Sequence, residues 1–214
     1  MSAGKYFFLS RPRRFGKSLL VDTMEELFSG NKSLFEGLWI ENQWDWTETN
    51  PVIHFSFSNL GVNTEGFVNG LFNGLRDNAK RLGVELTEKS YDRQFQELIR
   101  KAAVKGQVVI LIDEYDKPLI GILDQPEKVA AHYSIIRNFC SILKDDDEYI
   151  RFMFMTGVTQ LSRLNLFSDL NNLKNITLQS NYANLTGISQ KELEDNFKVE
   201  LSELKKEHQI FWIS

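Results

Sequence analysis

A basic loop near the N-terminus has the composition of a phosphate-binding site. A glycine lets the backbone approach phosphates, and the N–H groups at a helix N-terminus attract anions. In such a loop the lysine reaches the β- and γ-phosphates, and the hydroxyl that follows it binds Mg²⁺. The sequence therefore predicts a nucleotide site, with Ser18 as a metal ligand. The loop consists of Arg11, Pro12, Arg13, Arg14, Phe15, Gly16, Lys17 and Ser18. Leu19, the residue that follows the loop, is also expected to contact the nucleotide.

The loop departs from the common pattern G-x-x-x-x-G-K-[ST] at its first position. Arg11 stands where that pattern has a glycine, and Pro12 removes one N–H donor. Arg11, Arg13 and Arg14 form either an auxiliary clamp on the phosphates or a solvated edge. We favour the clamp because three positive charges crowd one loop. Gly-Lys-Ser alone is equally compatible with an ordinary helix start.

Two carboxylates follow the most apolar run of the chain. Residues 108–112 show no alternation, which is typical of a strand buried on both faces of a parallel sheet, and Asp113 and Glu114 come next. An aspartate there associates with Mg²⁺, and the following glutamate is a candidate base for water. The alternative is that Asp113 caps a turn and Glu114 is solvated. We favour the interpretation of Asp113 as a metal ligand and Glu114 as the base. The phosphate loop and the strand that ends in these carboxylates occur in the order expected for a nucleotide site, so each makes the other more convincing. Asp116 is expected to cap a helix or lie at the surface.

Polar residues also follow the apolar run at 150–155. In a parallel sheet, Thr156 or Thr159 would lie beside Asp113 and hydrogen-bond the attacking water or the γ-phosphate. An ordinary loop is equally compatible with these residues. Arg163 is a candidate for supplying transition-state charge within the chain or to a neighbouring subunit, although a solvated arginine is the simpler interpretation. The histidines and the single cysteine have no zinc-binding spacing.

The elements that would position these groups alternate between strands and helices. Strands are predicted at 5–9, 51–57, 108–112, 150–155 and 176–178. Helices are predicted at 16–29, 65–82, 91–104, 128–143 and 189–206. Ser189 and Glu192 would form a capping box at the start of the last helix. This alternation predicts an α/β fold with a mostly parallel sheet and helices on both faces.

Composition fits an ordinary globular protein. Of 214 residues, 42% are hydrophobic and 25% are charged, which argues against overall disorder. The apolar runs fall far short of the ~18 residues of a membrane span, and no secretory signal pattern is found. The single Cys140 cannot form an internal disulfide, so we expect a cytoplasmic protein. A net charge of -4 gives no overall basic field for nucleic acid, and any phosphate site must be local.

In combination these motifs resemble the AAA-ATPase-like family of bacterial and archaeal P-loop proteins. The family's phosphate loop is similar to residues 6–18 and has an arginine at the position of Arg11. Further similar blocks are residues 34–38, 112–118, 156–159 and 185–189. The resemblance covers roughly residues 5–197. It implies a P-loop NTPase fold and the cofactors ATP and Mg²⁺.

The leading hypothesis is an ATP-binding domain with Mg²⁺-dependent hydrolysis. Glu114 would activate water, Ser18 and Asp113 would hold the metal, and Lys17 would meet the charge of the γ-phosphate. One alternative is a non-hydrolysing nucleotide-binding or interaction module, because the first loop glycine is missing. A second alternative is a small-molecule P-loop kinase, although the paired carboxylates favour water activation over transfer to a substrate.

We expect two parts of the chain, a P-loop core at residues 1–180 and a C-terminal helical segment at 181–214. Members of the family often carry a C-terminal nuclease domain of the restriction-endonuclease type, which we do not expect within these 214 residues. The apolar residues 210–213 look like the beginning of a segment that was cut short. Besides the nucleotide, the partners left open are a second copy of the chain, a nuclease domain and a nucleic acid.

Overall fold

The computed structural model describes residues 4–60, 64–159 and 173–208, without the side chains of residues 59 and 205–208. The strands are β1 (Tyr6–Ser10), β2 (Val52–Ser56), β3 (Val108–Asp113), β4 (Ile150–Gly157) and β5 (Leu173–Asn175). The helices are α1 (Lys17–Ser29), α2 (Thr64–Leu82), α3 (Tyr91–Ala102), α4 (Lys117–Ile120), α5 (Pro126–Asp145), α6 (Gln190–Asn196) and α7 (Lys198–His208).

The five strands form one parallel sheet in the order β2-β3-β4-β1-β5. Strand β4 therefore lies between β1, which leads into the basic loop, and β3, which ends in the carboxylates. In this register Leu9 pairs with Thr156, and Ile112 pairs with Met155. The carboxyl ends of the three central strands consequently meet at one edge of the sheet, where open α/β sheets bind their ligands.

Helices cover both faces of the sheet because successive strand side chains point in opposite directions. Phe7 and Leu9 pack in one cluster with Val21 and Phe28 of α1. Their neighbours on β1 belong to the larger cluster on the other face, which also contains side chains of α2, α3 and α5. The prediction of an α/β fold with a parallel sheet and helices on both faces is confirmed.

The C-terminal elements differ in detail from the sequence prediction. The last described strand is residues 173–175 rather than 176–178, although Ile176 still donates its N–H to Phe8 O. One predicted helix is two helices that meet at Phe197, and the capping box of Ser189 and Glu192 is confirmed. The boundary at residue 180, between the predicted P-loop core and the C-terminal helical segment, stays a prediction. Among the described helices, none combines the length and apolar character that crossing a membrane requires.

Candidate functional site

The basic loop runs from the end of β1 to the start of α1 and turns at Gly16. Gly16 has a φ of 77°, a left-handed conformation that favours glycine, and Lys17 follows it as the first residue of the helix. A Cβ atom on Gly16 would have no other atom within 4 Å. A left-handed residue followed by a right-handed one is the backbone pattern of anion-binding nests. The loop thus fits a phosphate group at the N-terminus of α1.

Lys17 is buried and bends back over the loop. Its Nζ donates to Arg11 O at 3.1 Å and to Pro12 O at 3.0 Å. An ammonium group has three donors, so two carbonyl bonds leave one for a ligand. The carbonyls of Arg11 and Pro12 therefore hold the lysine of the motif at a fixed place on the loop.

Ser18 and Asp113 meet at the adjacent edge of the sheet. Ser18 Oγ donates to Asp113 Oδ2 at 2.5 Å, and the carboxylate is buried. The other oxygen, Oδ1, accepts from the hydroxyl of Thr156 and from the backbone N–H of Glu114. Mg²⁺ prefers oxygen ligands and is commonly bound by one or two carboxylates together with phosphate oxygens and waters. The hydroxyl and carboxylate present here fit that ligand set.

Glu114 follows β3 in an uncommon backbone conformation. Its φ is 52°, which costs a residue with a side chain about 1–2 kcal/mol. The N–H of Tyr115 donates to Thr156 O at 3.0 Å and holds the turn in place. The carboxylate of Glu114 is partly exposed and lies 4.0 Å from Lys117 Nζ. Strain of this kind is often found at functional sites.

The two threonines predicted beside Asp113 have different partners. Thr156 is fully buried and donates to Asp113, so the sheet brings these residues together as expected. Thr159 donates its hydroxyl to Asp116 Oδ2 at 2.7 Å, and its backbone N–H donates to the same oxygen. Thr159 therefore belongs to the loop contact after β4 rather than to the Asp113 cluster.

Asp116 is a residue whose side-chain contacts the sequence prediction missed. It occupies the N-cap position of α4, but its side chain makes no capping bond and is buried, so the expected surface role is wrong. Its carboxylate instead joins the loop after β3 to the loop after β4. Burial raises the pKa of the neighbouring Tyr115, whose hydroxyl lies 3.3 Å from Thr159 Oγ1. The close spacing of Asp113 and Asp116 is the signal in the sequence that could have placed the Asp116 carboxylate near the end of β3.

The arginines of the loop are placed in different ways. The guanidinium of Arg11 donates to Thr177 O at 2.5 Å and to Tyr182 O at 3.3 Å. Arg13 and Arg14 are exposed, and no ion pair joins them to another residue in the described part of the chain. Arg163 lies outside the described residues. A phosphate contact by Arg11, Arg13 or Arg14 stays a prediction.

The family model described as Predicted AAA-ATPase matches residues 1–167. A protein of Azotobacter chroococcum mcd 1, described as an uncharacterized protein in the vnfD 5' region, is 40% identical over 212 residues. The match includes 98% of this chain and 41% of the relative, so the chain spans about two fifths of that protein's length. No solved structure matches the chain.

Proposed function

The chain belongs to the predicted AAA-ATPase family, and from this premise we propose that it binds ATP and hydrolyses it with Mg²⁺. The observation that carries the proposal is the hydrogen bond between Ser18 and Asp113. It joins the hydroxyl that follows the phosphate-loop lysine to the carboxylate at the end of β3. These are the two protein ligands that a P-loop NTPase uses for its metal.

The basic loop would bind the triphosphate. The backbone around Gly16 would surround the β-phosphate, and Lys17 would donate to the terminal phosphates. Ser18 and Asp113 would hold Mg²⁺, which when bound neutralises charge on the phosphates. The exposed side chains of Arg13 and Arg14 would add positive charge beside the same loop.

Hydrolysis requires a base for water, and Glu114 is the proposed one. Its carboxylate is partly exposed next to the buried Asp113, so it can accept a proton from a water molecule while Asp113 remains with the metal. Thr156 would position Asp113 through its hydrogen bond. A contact of Thr159 with the water or the γ-phosphate, and a transition-state role for Arg163, are further parts of the proposal.

The setting and partners of the reaction are also proposals. We place the chain in the cytoplasm, an assignment supported by its single cysteine, Cys140, which lies in the core. A second copy of the chain, a nuclease domain and a nucleic acid remain open as partners.

Calorimetric titration of ATP, with and without Mg²⁺, tests the proposed function. Lys17→Ala removes the buried cation and should weaken ATP binding about tenfold or more. Lys32→Ala, at an exposed lysine after α1, is the matched control and should leave the affinity unchanged. Equal affinity of the wild type and Lys17→Ala would contradict the phosphate-loop assignment. Phosphate release by the wild type, measured in parallel, separates hydrolysis from binding alone.

A further inference from the structure

Three side chains that can bind a metal ion meet between α1 and β2, further along α1 than the residues of the phosphate loop. Asp22 and Glu25 come from α1, and His54 comes from β2. One ligand atom from each residue lies within 4.8 Å of the other two. Asp22 is exposed, and the side chains of Glu25 and His54 are 21% and 19% exposed. The cluster therefore lies at the surface, where an ion from solution can reach it.

The geometry of the helix and the strand brings these residues together. Asp22 and Glu25 are three positions apart, so they are neighbours on one face of α1. His54 follows Val52 by two residues, and side chains at this spacing point to the same face of a strand. Val52 packs in the same cluster as Val21 of α1, so His54 also lies on the face of the sheet that α1 covers.

His54 and Glu25 already contact each other through the atoms that would bind a metal. His54 Nδ1 forms a 2.6 Å hydrogen bond with Glu25 Oε2. The other ring nitrogen, Nε2, is buried and forms no hydrogen bond within the described part of the chain. Nδ1 is therefore the ring atom that an ion at the cluster would bind. Among the described residues, no ion pair involves Asp22, so its carboxylate is available as a third ligand.

Residues of α2 hold two of the three ligands in place. The backbone N–H of His54 donates to Asn78 Oδ1 at 2.9 Å, and Asn78 Nδ2 donates to His54 O at 2.8 Å. Arg81 binds Glu25 Oε1 at 3.1 Å and also donates to Asn78 Oδ1. Contacts that orient the ligands in this way are typical of metal sites. Arg81 thus occupies one carboxylate oxygen of Glu25 and leaves the other directed at His54.

The types of ligand and the local charge indicate which ion the cluster fits. Imidazole is a good ligand for Zn²⁺ and other transition metals, whereas Mg²⁺ prefers oxygen ligands. Asp22 and Glu25 carry two negative charges, of which Arg81 balances one, so a negative charge remains for a cation. Atoms bound to one Zn²⁺ lie about 2.0–2.2 Å from the metal and hence about 3–4 Å from each other. The separations in the cluster are close to this range.

We propose that Asp22, Glu25 and His54 form a binding site for Zn²⁺ that is separate from the proposed Mg²⁺ site of Ser18 and Asp113. In the metal-free protein Nδ1 and Oε2 share a hydrogen bond. When the metal binds, Nδ1 gives up its hydrogen to solvent, and both atoms become ligands. Zinc commonly has four ligands, so water would take the remaining position on the exposed side. The ion would join α1 to β2.

Calorimetric titration of the full chain with Zn²⁺, after a chelator has removed bound metals, tests this site. Asp22→Asn should weaken Zn²⁺ binding about tenfold or more, because it replaces a charged ligand by a neutral amide of the same size. Asp22 is exposed, so the variant should fold as the wild type does. Asp77→Asn, at an exposed aspartate of α2, is the matched control and should leave the affinity unchanged.

Two further variants distinguish this site from the proposed Mg²⁺ site. His54→Gln should also weaken Zn²⁺ binding about tenfold or more, whereas Asp113→Asn should bind Zn²⁺ as the wild type does. Saturating Zn²⁺ should raise the free energy of unfolding in urea for the wild type and Asp113→Asn, but much less for Asp22→Asn.

Three results would overturn the proposal: no Zn²⁺ binding by the wild type, equal affinity of the wild type and Asp22→Asn, or loss of Zn²⁺ binding in Asp113→Asn alone. Each of these results concerns Zn²⁺ only, so the proposed ATP binding is tested separately by its own titration.

Discussion

Ser18 Oγ donates a 2.5 Å hydrogen bond to Asp113 Oδ2, although the two residues are 95 positions apart in the sequence. Ser18 lies in the first turn of α1, which follows β1, whereas Asp113 ends β3, and β4 lies between β1 and β3 in the sheet. Thr156, at the end of β4, contacts the other oxygen of the same carboxylate. The start of α1 and the ends of β3 and β4 thus meet at Asp113, and its orientation depends on the order and register of the central strands.

Asp113→Asn should remove the Mg²⁺ dependence of ATP binding. The amide keeps the size of the side chain and can still pair with Ser18 and Thr156, but it lacks the negative charge that attracts the metal. We expect ATP affinity without Mg²⁺ to stay the same or rise, and the gain on adding Mg²⁺ to be lost, as measured by calorimetry. Asp124→Asn, at an exposed aspartate, is the control. A full Mg²⁺ effect in Asp113→Asn would exclude Asp113 as a ligand.

Glu114→Gln should separate binding from hydrolysis. The substitution keeps the size and hydrogen-bonding capacity of the side chain but removes the base, so turnover should fall by about 10² or more. ATP affinity should stay within about twofold of the wild type. The measurements are phosphate release and calorimetry, with Glu127→Gln, at an exposed glutamate of α5, as the control. Unchanged turnover would mean that another group activates the water.

The sequence predicted the central elements of the site because their signals are local. A run of apolar residues without alternation identified β3, and the Gly-Lys-Ser triplet located the start of α1. Parallel strands place their carboxyl ends at one edge of the sheet, so strand direction predicted that the basic loop, Asp113 and Thr156 share that edge. Their direct contact depends on the strand order, in which β4 lies between β1 and β3, and local patterns do not show that order.

Other parts depended on contacts between residues distant in the sequence, which local patterns do not show. Asp116 follows a strand as a surface aspartate often does, and only its bonds to residues 158 and 159 explain its burial. The turn at residues 185–188 contacts the basic loop through the close approach of Gly187 to Phe15. The predicted position of the last strand was wrong, because residues 176–178 follow the paired residues 173–175 rather than forming the strand.

Asp116→Ala should destabilise the fold and disturb the loop after β4. Asp116 Oδ2 accepts from the N–H groups of Val158 and Thr159 and from the Thr159 hydroxyl. A hydrogen bond to a charged group contributes about 1.5–3 kcal/mol, so we expect the free energy of unfolding in urea to fall by at least about this amount. Asp124→Ala should change it little. If both variants have the stability of the wild type, Asp116 does not hold the two loops together.

Glu25 should make stability depend on pH at the junction of α1 and β2. A 2.6 Å hydrogen bond with His54 Nδ1 lowers the pKa of Glu25 from its ordinary value of 4.5. Burial acts in the opposite direction and raises this pKa, whereas the charge of Arg81 also lowers it. With the folded-state pKa below the unfolded one, the stabilisation is fully present above pH 4.5. It is lost as the pH falls through the folded-state value.

The measurement is urea unfolding of the wild type and Glu25→Gln at a series of pH values from about 6 down to about 3. The difference in free energy of unfolding between the two proteins should be largest at the upper end and shrink as the solution becomes acidic. Glu36→Gln, at an exposed glutamate, should give a small difference with little pH dependence. A Glu25→Gln difference that is constant with pH would exclude this carboxylate as a source of acid sensitivity.

Arg11→Ala should weaken ATP binding, and the structure indicates how. The Arg11 guanidinium donates to the carbonyls of Thr177 and Tyr182, so its loss would free the segment after β5 from the phosphate loop. Hydrogen bonds from a charged donor contribute about 1.5–3 kcal/mol, which corresponds to roughly a tenfold or larger loss of affinity if that segment must be ordered for binding. Arg11→Gly should not restore binding, because a glycine provides neither donor.

Titration with inorganic tripolyphosphate, which carries the phosphate groups but no base, distinguishes two roles of Arg11. If Arg11 holds the segment after β5 beside the rest of the nucleotide, the affinity for this probe should be unchanged in Arg11→Ala. If Arg11 contacts the phosphates directly, the affinities for ATP and for tripolyphosphate should fall together. An Arg11→Gly variant that binds ATP as well as the wild type would contradict both roles.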